Sequence, residues 1–163
     1  MLLVNFPNWN FLDFESINGV GSRIVNDKGQ SFNYVDVLPL LANTASNQGI
    51  PFYGLQIDNP YNFQIYKTGT RASGLVNQAE IDRRWLRLNK LLKLAESLKL
   101  KTSLILNSEV EEGANPSDAE LAKGAIDFAD LTTRYAQEFR HRGFATDSFM
   151  IQSWYAVPKI IIL

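Results

Sequence analysis

Each short apolar run of this chain breaks off into acids, amides and aromatic rings. Leu2–Phe6 contains Asn5 and passes into Pro7, Asn8 and Trp9, with Asp13 and Glu15 beyond. Tyr53–Asp58 contains Gln56 and runs on into Asn59, Pro60 and Tyr61. Ser103–Asn107 leads to Ser108 and Glu109, and Phe149–Trp154 leads to Tyr155. Gathered in one aqueous pocket, these residue types suit a neutral sugar polymer. Carboxylates supply acid, base or nucleophile, amides bind hydroxyls, and flat rings cover the apolar faces of pyranoses. On that reading Glu109 is the catalytic candidate. Asp58, Asn59, Gln56 and Asn5 are polar contacts to a carbohydrate ligand, and Trp9, Tyr61, Trp154 and Tyr155 are its stacking surfaces. Each has a plainer alternative. Glu109 can be a solvent-facing acid opening a loop that continues through Glu111 and Glu112. Asp58 with Asn59 and Pro60 can form an Asx-type turn. Trp154 and Tyr155 can close the core, and Trp9 and Tyr61 can pack a loop.

Other chemistries find little footing. The chain has no cysteine and one histidine, so disulfides are excluded and a metal site of nitrogen or sulfur ligands is not expected. His141 sits between Arg140 and Arg142 where a helix should end, a placement that complements the helix dipole. Gly19-Val20-Gly21-Ser22 lacks the third glycine of a phosphate loop and does not join a strand directly to a helix, so no cofactor is expected. With 16 basic and 17 acidic residues the formal net charge is −1, and no field favours nucleic acid or an anionic membrane. No apolar run approaches the roughly 20 residues of a membrane span, and Met1–Val4 meets polar Asn5 too soon for a signal peptide. Arg83, Arg84 and Arg87 read as the solvated face of a helix.

The elements that must position these residues follow from periodicity. Strands are expected over about 2–6, 53–58, 102–108 and 148–154, each near-continuously apolar, as strands buried on both faces of a parallel sheet are. Between them lie helices. One spans about Val35 to Asn47, with Pro39 in its first turn and Gly49 ending it. A second runs from Gln78 to Leu98, capped by Asn77 and Glu80, with Ile81, Trp85, Leu88, Leu92 and Leu98 along its core face. A third opens at the capping box Ser117-Asp118-Ala119-Glu120 and stops at Gly143. Helix-to-strand links are short, whereas the strand-to-helix links Pro7–Asn33, Asn59–Val76 and Val110–Pro116 are long. Those long links carry Trp9, Phe11, Phe14, Tyr61, Phe63 and Tyr66, beyond the carboxyl ends of strands where α/β folds build their sites. The expected fold class is therefore α/β, with about four parallel βα units in one domain over 1–163. Four such units are half of an eight-stranded (β/α)8 (TIM) barrel, which needs about 250 to 400 residues when whole. The chain reads as a fragment, with open sheet edges that invite self-association.

In the order of its motifs the chain resembles the C-terminal half of a (β/α)8 glycoside hydrolase of the retaining clan A superfamily. Gly54-Leu55-Gln56 resembles the sixth strand of some xylanase members, Glu109 the nucleophile that ends the seventh, and Trp154 the subsite-flooring tryptophan of the eighth. The resemblance implies a retaining hydrolase of poly- or oligosaccharides. It places the acid/base glutamate in an Asn-Glu pair at the end of the fourth strand. If 2–6 is the fifth strand, that pair precedes residue 1, and the isolated chain is expected to be inactive. Asp13 and Glu15 are alternatives for the role, although they fall in a loop on this reading. Ser108 stands where threonine is the more usual neighbour of the nucleophile. Hydrolases of this kind are often extracellular or periplasmic. A non-catalytic carbohydrate-binding or structural relative is the competing expectation.

Overall fold

Four parallel strands, taken in the order the chain makes them, form the centre of the molecule. The computed structural model describes residues 11–15, 24–25, 31–32, 34–67, 71–106 and 118–151. Its elements are β1 (Phe11–Glu15), β2 (Ile24–Val25), β3 (Ser31–Phe32), α1 (Tyr34–Asn47), β4 (Gly54–Asp58) and α2 (Asn62–Ile65). A 3-10 turn (Arg71–Ser73), α3 (Gln78–Ser97), β5 (Lys101–Leu106), α4 (Asp118–His141) and β6 (Ser148–Ile151) follow. The sheet runs β1-β4-β5-β6, while β2 and β3 make a separate antiparallel pair. The expected α/β class with parallel βα repeats is thus present.

Its first strand differs from expectation. The segment 2–6 lies outside the described residues. The strand beside β4 is Phe11–Glu15, a stretch expected to lie in the loop after the first strand. Phe-Leu-Asp-Phe-Glu alternates acids with apolar residues, unlike the near-continuous apolar runs of the other strands. Parallel pairing with Gly54–Asp58 engages its backbone all the same.

The helices share one face of the sheet. Leu55 and Ile57 of β4 and Leu104 and Leu106 of β5 join Leu38 of α1, Trp85, Leu88 and Leu92 of α3, and Leu131, Tyr135 and Phe139 of α4 in a single apolar cluster. Each fully buried leucine or isoleucine in it contributes about 1.5–3 kcal/mol. Side chains alternate along a strand, so the residues between them face away from the helices. Gln56 and Ser103 are register partners, as are Ser103 and Ser148, and Ile105 lies between Asp58 and Met150. The bond donated by Gln56 Nε2 to Met150 Sδ at 3.3 Å crosses β5 on this second face.

The three long helices end alike. Gly49, Lys99 and Gly143 take φ of 66°, 59° and 70°, and the next amide bonds back into the last turn: Ile50 N–H to Ala45 O, Leu100 N–H to Ala95 O, Phe144 N–H to Phe139 O. The left-handed residue reverses the chain and aims it at the next strand, so these links are short. Asn77 caps α3 as expected, accepting from the Glu80 amide at 2.9 Å. Pro39 departs from expectation, because α1 begins at Tyr34 and the proline lies in its second turn. There its missing N–H removes one helical bond, a cost of up to about 3 kcal/mol in a helix interior.

Candidate functional site at the carboxyl edge

A shared strand direction gathers the carboxyl ends of all four strands at one edge. Asp58 ends β4 there at 5% exposure, and the register seats Glu15, the last residue of β1, directly opposite it. One step back along each strand pair, Asp13 stands opposite Gln56. Neighbouring strands lie about 4.8 Å apart. The register therefore makes the Glu15 and Asp58 positions lateral neighbours on adjacent strands. Sequence reasoning missed this pairing because it placed Asp13 and Glu15 in a loop. The signal that could have found it is the alternation in Phe11–Glu15.

The link after β4 turns away from that face. Asn59 is fully buried, and Tyr61 joins the core, its ring stacked on Tyr135 with centroids 5.5 Å apart. The Tyr61 hydroxyl donates to Glu138. Burial pushes its phenol far above the ordinary range, and the Glu138 bond and charge add to the shift. Burial likewise raises Tyr135, with the charge of Asp58 acting in the same direction and the amides of Asn59 and Gln64 opposing it.

Arg84 holds this link in shape. Its Nη1 donates to Phe63 O and Tyr66 O, both at 2.7 Å, its Nη2 to Lys67 O at 3.5 Å, and its Nε to Glu80 at 3.0 Å. The expectation of a solvated arginine face fails here, for Arg84 is 7% exposed. Three arginines in a row of charges hid the spacing: Arg84 falls between Ile81 and Leu88 on the apolar stripe, beside Trp85. Arg83 and Arg87 do stay at the surface, both paired with Glu80.

Of the sequence-proposed site residues, Gln56 and Asp58 come together on the sheet face opposite α1, α3 and α4. Asn59 and Tyr61 lie behind them among the helices. Glu109, Trp154, Tyr155, Asn5 and Trp9 lie outside the described residues, as does Gly19-Val20-Gly21-Ser22. Among the described residues no three His, Cys, Asp or Glu side chains cluster as metal ligands, and no helix is long and apolar enough to cross a membrane. A groove of about 520 Å³ lined by Lys93, Glu96, Lys99, Lys101 and Asp147 opens at the opposite edge, where β5 and β6 begin. What the carboxyl edge offers chemically is a row of amide, hydroxyl and carboxylate positions on one sheet face. No protein-family model, curated protein or solved structure matches the chain.

Proposed function

We propose that the chain is half of a (β/α)8-type barrel of a retaining glycoside hydrolase, with Glu109 as its nucleophile and a poly- or oligosaccharide as its substrate. The observation that supports this best is the strand order: four parallel strands in chain sequence, with α1, α3 and α4 packed on one face. A doubly wound sheet divides its helices between two faces and reverses strand order at a switch point, whereas a barrel does neither. On this reading the face opposite α1, α3 and α4, which carries Gln56, Ser103, Ser148 and Asp58, would be the barrel interior. In the sequence, Glu109 follows shortly after Leu106, the last residue of β5. A nucleophile there needs an ionised carboxylate and a second carboxyl about 5–5.5 Å away.

A dinitrophenyl 2-deoxy-2-fluoroglycoside tests the assignment even where the acid/base residue is missing, since its leaving group departs without a proton. Incubation with a panel of such sugars, followed by peptide mapping, should find one glycosyl group on Glu109 and none in Glu109→Gln. Sugar binding with no label in any member of the panel would instead favour a non-catalytic carbohydrate-binding barrel. A label on Glu15 or Asp58 would move the nucleophile to the register pair.

A further inference from the structure

The groove at the amino edge of the sheet has walls held by bonds that leave two of its cations over. One wall is a stripe of α3, formed by Asn89, Leu92, Lys93 and Glu96 at spacings of three and four residues. The other is the α4–β6 link from Gly143 to Asp147. That link is pinned to the start of β5: Asp147 N–H donates to Thr102 O at 3.1 Å, and Thr146 Oγ1 donates to the same carbonyl at 3.0 Å. The Asp147 carboxylate is committed to Lys101 at 2.7 Å and to the Thr102 amide at 2.9 Å. Among the described residues Lys93 and Lys99 have no ion pair, and the Asn89 side chain has no hydrogen-bond partner. Glu96 is the other acid of the lining, so two uncommitted cations face one uncommitted carboxylate. Lys99 sets the groove apart from a chance row of surface lysines. It takes φ of 59°, where glycines end the other two long helices, and it is exposed, so no packing offsets the cost of a side chain there. Departures of this kind from the locally favoured residue cluster at functional sites.

We propose that this groove binds the phosphate monoester of a small molecule, with its phosphoryl dianion met by the ammonium groups of Lys93 and Lys99. Lysine meets phosphate as a point charge with rotatable donors, and two free ammonium groups match the charge of the dianion. The volume of about 520 Å³ exceeds what a phosphoryl group fills and falls in the range of small-ligand pockets. Beyond the cations, the Asn89 amide can hydrogen-bond a hydroxyl of the ligand, and Leu92 and Phe144 offer apolar surface to its carbon atoms. The groove lies at the edge opposite the carboxyl ends of the strands and is independent of what those bind.

Titration of the full chain with glucose 6-phosphate and with glycerol phosphate, at constant ionic strength and followed by amide chemical shifts, tests this. Saturable shifts are expected at Lys99–Thr102 and Gly143–Asp147 with at least one of the two, and glucose should produce none. Lys93→Gln and Lys99→Gly should each weaken binding roughly tenfold, the usual loss for one charge-assisted bond. Lys99→Gly also separates binding from folding, because it should melt no lower than the wild-type chain. No saturable shift with either monoester, or an unchanged affinity in Lys99→Gly, would overturn the site. Inorganic phosphate binding as tightly as the monoesters would overturn the ligand class, since the neutral lining would then contribute nothing.

Discussion

Arg84 shows how one side chain can set the shape of a long link. Its guanidinium replaces water for the carbonyls of Phe63, Tyr66 and Lys67. Its own charge is answered by Glu80 one turn earlier, so the buried cation is paired rather than isolated. Arg84→Met keeps the length of the stem and removes the donors. Unfolding stability should fall by about 2–3 kcal/mol, the usual cost of losing charge-assisted bonds to buried acceptors. The loss should be local first. Hydrogen exchange should accelerate at the amides of Lys67 and Val76, which bond to Gly74 O and Ile65 O within the link. Unchanged protection there would mean that the link is held by its own turns and that Arg84 only fills space.

Among the elements, the three helix ends make an internal comparison. Two use glycine in the left-handed position, and α3 uses Lys99 at φ 59°, where a Cβ crowds the following carbonyl. Lys99→Gly should therefore stabilise the chain by about 1 kcal/mol, and Gly143→Ala should cost a similar amount. Matched thermal melts of the two variants decide it, and a shift of the same sign in both would refute the argument. The β5–β6 join is a latch of another kind. Asp147 bonds to Lys101 Nζ at 2.7 Å and to the Thr102 amide at 2.9 Å, and these hold its carboxyl below the ordinary range, the Lys101 bond most of all. Glu80 is lowered chiefly by its bond to Arg84. A carboxylate depressed in the folded state stabilises above its unfolded pKa of about 4, and that stability is lost as pH falls through the folded value. Urea unfolding followed downward from pH 5 should show such a loss, and Asp147→Asn should remove part of the slope. These elements also show what the sequence could reveal. Helices α1, α3 and α4 and strands β4, β5 and β6 announce themselves through apolar spacing and end signals such as Asn77, Gly49 and Gly143. Strand β1 does not, since its alternation of acids and apolar residues is also what an exposed loop can look like. The burial of Tyr61 and Asn59 depends on α4 arriving from far along the chain, which no local pattern encodes.

Taken whole, the described sheet has an order that closes on itself only with more strands. On the helix side of β5, Leu104 and Leu106 are buried, yet their register partners on β6, Phe149 and Ile151, are 43% and 51% exposed. Strand β6 is the edge of the described sheet, with apolar side chains and a backbone ladder both turned outward, the combination that recruits another strand. A charge on an edge strand is the usual defence against that pairing. Ile151→Lys puts one at the exposed end of β6 and disturbs no buried contact of the described core. If edges of this chain pair with each other, the wild-type sedimentation coefficient should rise with concentration and that of Ile151→Lys should stay near the monomer value. A wild-type coefficient that stays flat over the same range would show that this edge does not pair one chain with another.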